Sequence, residues 1–199
     1  MNAPLEPQIL RALQQVRLDD KYCLAKGKAF MSGVQALVRL PMMQQARDSA
    51  QGVKTAGFIS GYRGSPLGGY DQALWAAKAH LAAQQIIFQP GVNEELAATA
   101  VWGTQQLDLF PNTKKFDGVL GIWYGTGQGV DRCTDAFKHA HMAGTSRHGG
   151  GLALAGKYKV ANSSTAAHQS AHISKTSGMH VRSPSFFKAF PSMHLHRLP

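Results

Sequence analysis

Acidic residues stop at Asp135. The 64 residues beyond it carry 8 Lys or Arg and no Asp or Glu, whereas residues 1–135 hold 13 Lys or Arg against 11 Asp or Glu. The net charge of +10 therefore belongs mostly to the last third of the chain. A folded surface ordinarily interleaves both signs, so the composition divides the sequence into a domain over 1–156 and a basic segment over 157–199. Cysteine is scarce as well. Cys23 and Cys133 are far apart in the sequence, which excludes a disulfide framework and an iron–sulfur cluster held by four cysteines of this chain. No uninterrupted apolar run approaches the roughly 18 residues of a membrane span, and the start MNAPLEPQ lacks the basic and then apolar order of a secretory leader. The expected compartment is the cytoplasm, with no membrane partner.

What remains suits a globular domain: 44% of residues are hydrophobic, enough to bury a core at 199 residues. Helices are expected over 7–16 and over 33–50, where Val34, Leu37, Val38, Met42 and Met43 recur at helical spacing and Pro41 marks a kink or break. Residues 55–60 (TAGFIS) form a short apolar run that ends in the loop GYRGSPLGG, and 70–84 has the Ala and Leu content of a helix. The unit repeats: strand over 86–89 and helix over 93–109, then strand over 118–124 and helix over 130–142, with a fourth strand over 152–155. Alternating strands and helices imply an α/β domain with a parallel sheet, right-handed crossovers and helices on both faces. Ligands then meet the loops at the carboxyl ends of the strands, which singles out 61–69, 90–95 and 125–129. Beyond Gly156 no helical or strand period is evident.

Each of these loops carries a chemical reading and a plain one. The 61–69 loop is glycine-rich enough to let backbone approach a ligand, with Arg63 and Ser65 able to hold a carboxylate; a tight turn would use the same glycines. Gly125, Gly127 and Gly129 follow a strand and precede a helix, but their GxGxG spacing lacks the third glycine of a dinucleotide loop, leaving a close-packed loop beside some ligand. Glu94 and Glu95 open a helix behind Asn93, where acids favour the helix dipole and Asn93 can cap. His139, His141, His148, His168 and His172 match no standard metal-ligand spacing, so no metal site is expected.

Taken in order, TAGFISGYRGSPLGGYD, FQPGVNEELAATAVWGTQQ, FDGVLGIWYG, GVDRC, DAFKHAHMAGTSRHGG and STAAHQS resemble the long, fused indolepyruvate ferredoxin oxidoreductases and their 2-oxoacid relatives. The resemblance covers residues 18–156, with a weaker echo to Ser170. It implies the domain that holds the aminopyrimidine end of thiamine diphosphate, as the first part of a longer chain. It also assigns Glu94 as the carboxyl group that hydrogen-bonds the pyrimidine ring and promotes the tautomer that removes the thiazolium C2 proton. Arg63 and Ser65 would then face the 2-oxo acid, and Gly125, Gly127 and Gly129 the cofactor. By family, the acyl group passes to coenzyme A and the electrons through 4Fe-4S clusters to ferredoxin.

The pattern is departed from after Gly156, where two aspartates are usual and Lys157 and Tyr158 stand, again near Ala171, and altogether from Ser177 onward. Nor is there a Gly-Asp-Gly followed by a downstream Asn, the usual Mg²⁺-diphosphate motif. The cofactor site is therefore expected to be completed by further domains or a homo-oligomer mate, and the chain alone to be inactive. The reading from another class is a non-catalytic basic module in which 136–199 contacts nucleic acid or another polyanion. Its thinly spread charge and lack of a known nucleic-acid fold make nucleic acid the weaker expectation.

Overall fold

In the computed structural model, residues 15–63 and 67–156 are described, together with the backbone of 180–182 and 187–189. All but the last two residues of the helix expected over 7–16, and the basic segment apart from those two short strands, lie outside the described residues.

Helix α1 (Asp20–Cys23) leads to α2 (Gly33–Ala50), which begins in a full capping box: the Ser32 hydroxyl accepts from the Gln35 backbone N–H, and the Gln35 side chain accepts from that of Ser32. Pro41 lies inside α2, and the helix continues through it to Ala50. Then follow β1 (Thr55–Gly61), α3 (Gly68–Ala76), α4 (Lys78–Ala83), β2 (Ile86–Phe88) and α5 (Glu94–Gly103). Two short 3₁₀ turns precede β3 (Gly118–Thr126), after which come α6 (Gly127–Arg132), α7 (Thr134–Ala143) and β4 (Gly150–Gly156).

The four strands are parallel in the order β2-β1-β3-β4, with Gly57 opposite Ile86, Ile59 opposite Ile122 and Ile122 opposite Leu152. Strands β5 (His180–Arg182) and β6 (Phe187–Ala189) extend the β4 edge, β6 antiparallel to β4 and β5 antiparallel to β6. The chain is an α/β domain with helices on both faces of a sheet whose four central strands are parallel.

Strand alternation assigns the two cores. Ile59, Leu120, Ile122, Tyr124, Leu152 and Leu154 point to one face, where they meet Val38 and Met42 of α2, Tyr70 and Leu74 of α3 and Leu81 of α4. Trp123, Ala153 and Ala155 point to the other, against Ala97, Ala98 and Val101 of α5 and Val130, Cys133, Phe137 and Ala140 of α6 and α7. Between α5 and the sheet the second face is lined by small residues, Ala97, Ala98, Ala153 and Ala155, beside Trp123, so α5 lies close on the sheet. Gly121 lies under it: a Cβ there would stand 2.8 Å from a Val101 methyl. No helix among the described residues is long and apolar enough to cross a membrane.

Candidate functional site

The chain leaves β1 towards β2 through α3 and α4 on one face, and leaves β3 towards β4 through α6 and α7 on the other. The direction of travel therefore reverses between β1 and β3, which makes a crevice at their carboxyl ends, the place where open α/β sheets bind ligands. Helix α5 crosses from β2 over β1 and β3 and contacts both. Its first residue, Glu94, is thereby delivered to the crevice.

Local interactions fix that delivery. Asn93 is extended (φ −151°, ψ 174°) and its Oδ1 accepts from the Leu96 N–H at 2.8 Å, which caps α5. The Trp123 indole N–H donates to the Glu94 carbonyl at 3.0 Å, and its ring packs edge-on against Phe137 (5.1 Å, 88°). The start of α5 is thus tied to the middle of the sheet. One helical step of about 100° separates Glu94 from Glu95: Glu94 is 9% exposed, while Glu95 lies in solvent.

The glycines after β3 are shaped around this acid. A Cβ on Gly129 would stand 2.6 Å from Glu94 Cγ and 3.0 Å from its Oε1; one on Gly125 would stand 2.6 Å from the Trp123 ring and 3.4 Å from Glu94 Cγ. Gly125 and Gly129 therefore make room for protein groups, Glu94 and Trp123. The expected 125–129 loop proves to be the end of β3 and the first turn of α6, because the Thr126 hydroxyl accepts from the Gly129 N–H at 3.2 Å and caps the helix directly; Gly127 is the buried first residue of that helix.

Among the described residues, nothing donates a hydrogen bond to the Glu94 carboxylate and no cation pairs with it. Its oxygens are not among the fully enclosed unpaired atoms of the described residues, so they keep access to the crevice, where an occupant that offers a donor can bond to them. Cys133 lies beneath. Burial first, then the negative charges of Glu94 and Glu95, push its thiol up to about 12, Arg132 opposing, which removes it as a nucleophile at neutral pH.

Beside the crevice, a cleft of about 300 Å³ is lined by Tyr62, Arg63, Asp71, Trp75 and the backbone turn Pro90, Gly91 and Val92. Arg63 is exposed there. Glu94 is not part of its lining, so the structure brings Glu94 together with Gly125 and Gly129 but leaves Arg63 on a neighbouring wall. Ser65 lies outside the described residues. The cleft wall holds one residue that sequence reasoning missed, Asp71, and behind it lies the buried Tyr124. Asp71 is 6% exposed and accepts from the Tyr124 hydroxyl at 2.6 Å; burial, and then this bond, push Tyr124 well above the ordinary phenol range. The available signal was an acid in the first turn of a helix directly behind a glycine-rich loop. Of the five histidines, His168 and His172 lie outside the described residues, and no group of three potential ligands among the described residues could hold a metal ion.

Comparison with protein-family models, with curated proteins and with solved structures found no match.

Proposed function

We propose that this domain supplies the aminopyrimidine side of a thiamine-diphosphate site in a cytoplasmic 2-oxoacid:ferredoxin oxidoreductase of the indolepyruvate type. The observation that carries the reading is Glu94: a buried carboxylate at the reversal point of the sheet, on a capped and anchored helix, with no partner among the described residues. The ordered run of motifs from Thr55 to Gly150 supports it, and it is this resemblance that gives Glu94 its role.

The group fits one wall of the site. Glu94 offers a hydrogen-bond acceptor, or a proton when protonated, to a ring nitrogen in a water-poor setting where such a bond is strong. Thiamine diphosphate, once bound, supplies the nucleophilic carbon and electron sink for oxidative decarboxylation of an aryl pyruvate. Glu94 holds and returns a proton at the ring nitrogen, and Trp123 fixes the carbonyl behind it so that the carboxyl group keeps its aim. Gly129 leaves the space in which the Glu94 stem lies. Arg63, with Ser65, neutralises the carboxylate of the 2-oxo acid. The Mg²⁺-diphosphate half, the 4Fe-4S clusters and the contacts to coenzyme A and ferredoxin would come from other segments or a partner subunit, since the described residues provide no metal site.

Equilibrium dialysis of thiamine diphosphate with Mg²⁺ tests the reading. It is run against this chain, against a diphosphate domain of the same enzyme class, and against both together. Retention by the mixture above the sum of the parts is expected; a mixture that retains no more than the diphosphate domain alone contradicts it.

A further inference from the structure

On the opposite side of the first core, two chain segments far apart in sequence bring a thiol, an imidazole and a carboxylate into line. Cys23 ends α1 with its side chain exposed, and its Sγ lies 3.5 Å from Nδ1 of His80 on α4. The other ring nitrogen, Nε2, lies 3.6 Å from Asp19 Oδ1. The ring thus stands between nucleophile and acid, each on its own nitrogen, the arrangement in which a base activates a thiol and a third group orients the base. Apo structures commonly show such contacts somewhat long.

The site is held rigidly on its thiol side. The Arg39 guanidinium of α2 donates to the backbone carbonyls of Asp20, Lys21 and Leu24, which pins α1 to the domain. The Tyr22 ring packs against the His80 ring at 5.3 Å and limits its rotation. Around the thiol basic residues outnumber acidic ones: Arg17, Lys26 and Lys28 are exposed near Cys23 and Lys21 lies over the Tyr22 ring, against Asp19 and Asp20. An anionic reagent would be drawn to it.

We propose that Cys23, His80 and Asp19 form a thiol–imidazole–carboxylate site that takes up small anionic disulfides of the glutathione class by thiol–disulfide exchange. His80 Nδ1 accepts the thiol proton as Sγ attacks one sulfur of the disulfide. The reagent's S–S bond breaks, a new S–S bond forms at Cys23, and the departing thiolate takes the proton from the imidazolium, which Asp19 stabilises meanwhile. Cys23 sulfur is oxidised and the departing sulfur reduced, so no further oxidant is needed. The inference is independent of the cofactor reading.

The test is the rate at which the full chain forms a mixed disulfide with oxidised glutathione at pH 7, read by acid quench, intact mass and peptide mapping. Modification is expected at Cys23 and not at buried Cys133. The rate is expected to fall on the order of 100-fold in His80→Gln, which keeps a polar side chain of similar reach but cannot shuttle the proton, and less in Asp19→Asn. The melting temperature of each variant shows whether it is folded, and Asp19→Asn carries the test if His80→Gln is not. Equal rates in wild type and a folded variant, or a urea-unfolded chain that reacts as fast as the folded one, would overturn the proposal.

Discussion

Two buried tyrosines of the first core give the sharpest energetic test, because removing one oxygen from each should have opposite consequences. Tyr70 and Tyr124 meet edge-to-face (5.3 Å, 86°), and neither is exposed. The Tyr124 hydroxyl donates to Asp71 Oδ1 at 2.6 Å, whereas the Tyr70 hydroxyl is buried with no partner among the described residues. In Tyr124→Phe, Asp71 stays 6% exposed and loses its donor. A hydrogen bond to a charged group contributes about 1.5–3 kcal/mol, and the stranded acceptor adds to the loss. For a domain of this size the melting temperature should drop by about 3–10 °C. Tyr70→Phe removes an unpaired polar atom at nearly constant volume, so its stability should be unchanged or higher by about 1 kcal/mol. Urea unfolding of the three proteins, followed by fluorescence, gives the comparison, with equal slopes required before midpoints are compared. A Tyr70→Phe protein as destabilised as Tyr124→Phe would refute the assigned bonding, as would a silent Tyr124→Phe.

Gly129→Ala gains about 1 kcal/mol of helix propensity but drives a methyl into the Glu94 stem, a strain of about 1–3 kcal/mol. The double variant with Glu94→Ala should recover the propensity gain, so a double-mutant cycle in urea should show coupling of about 1 kcal/mol or more, and additivity would argue against the contact. Alkaline titration of stability should fall in one direction only. Cys133, raised to about 12, and Tyr70 and Tyr124, raised further, keep protons in the folded state that the unfolded chain has already lost. Stability is therefore complete below about pH 9 and declines as pH rises from there towards 12, by up to about 1.4 kcal/mol per pH unit for each group; a flat urea midpoint from pH 8 to 11 would contradict this. The chain by itself should not reduce viologen or ferredoxin with indolepyruvate, thiamine diphosphate, Mg²⁺ and coenzyme A, and turnover above a protein-free control would show that the proposed division of the site is wrong.

The alternation of apolar strands with Ala-rich helices was legible because each strand carries a short, continuous apolar run bounded by glycine or polar residues. So was the Asn93 cap, whose role follows from residue type alone. Element ends were less so. The helix expected over 70–84 is two, broken at Ala77 without a Gly or Pro to announce it; the one expected over 93–109 stops at Gly103; and the one expected over 130–142 starts at Gly127 and breaks at Cys133. Pro41 signalled a kink or a break, and α2 is not broken there. Within the candidate site, sequence pattern could nominate glycines 125 and 129 but not say what they face: only tertiary packing shows that Glu94 and Trp123 occupy the space. Asp71 with Tyr124, and Cys23 with His80, are pairs 53 and 57 residues apart that no local period connects.

C2 proton exchange of bound thiamine diphosphate isolates the role of the Glu94 carboxyl group. With the chain joined to the diphosphate domain of a full-length indolepyruvate ferredoxin oxidoreductase, exchange into deuterium oxide is followed by NMR in the unmutated protein, in Glu94→Gln and in Glu95→Gln. Loss of a general acid/base costs about 10²- to 10⁴-fold, so exchange in Glu94→Gln should slow by that range while Glu95→Gln, altered only at an exposed position, stays near the unmutated rate. Unchanged exchange in Glu94→Gln together with loss in Glu95→Gln would contradict the account.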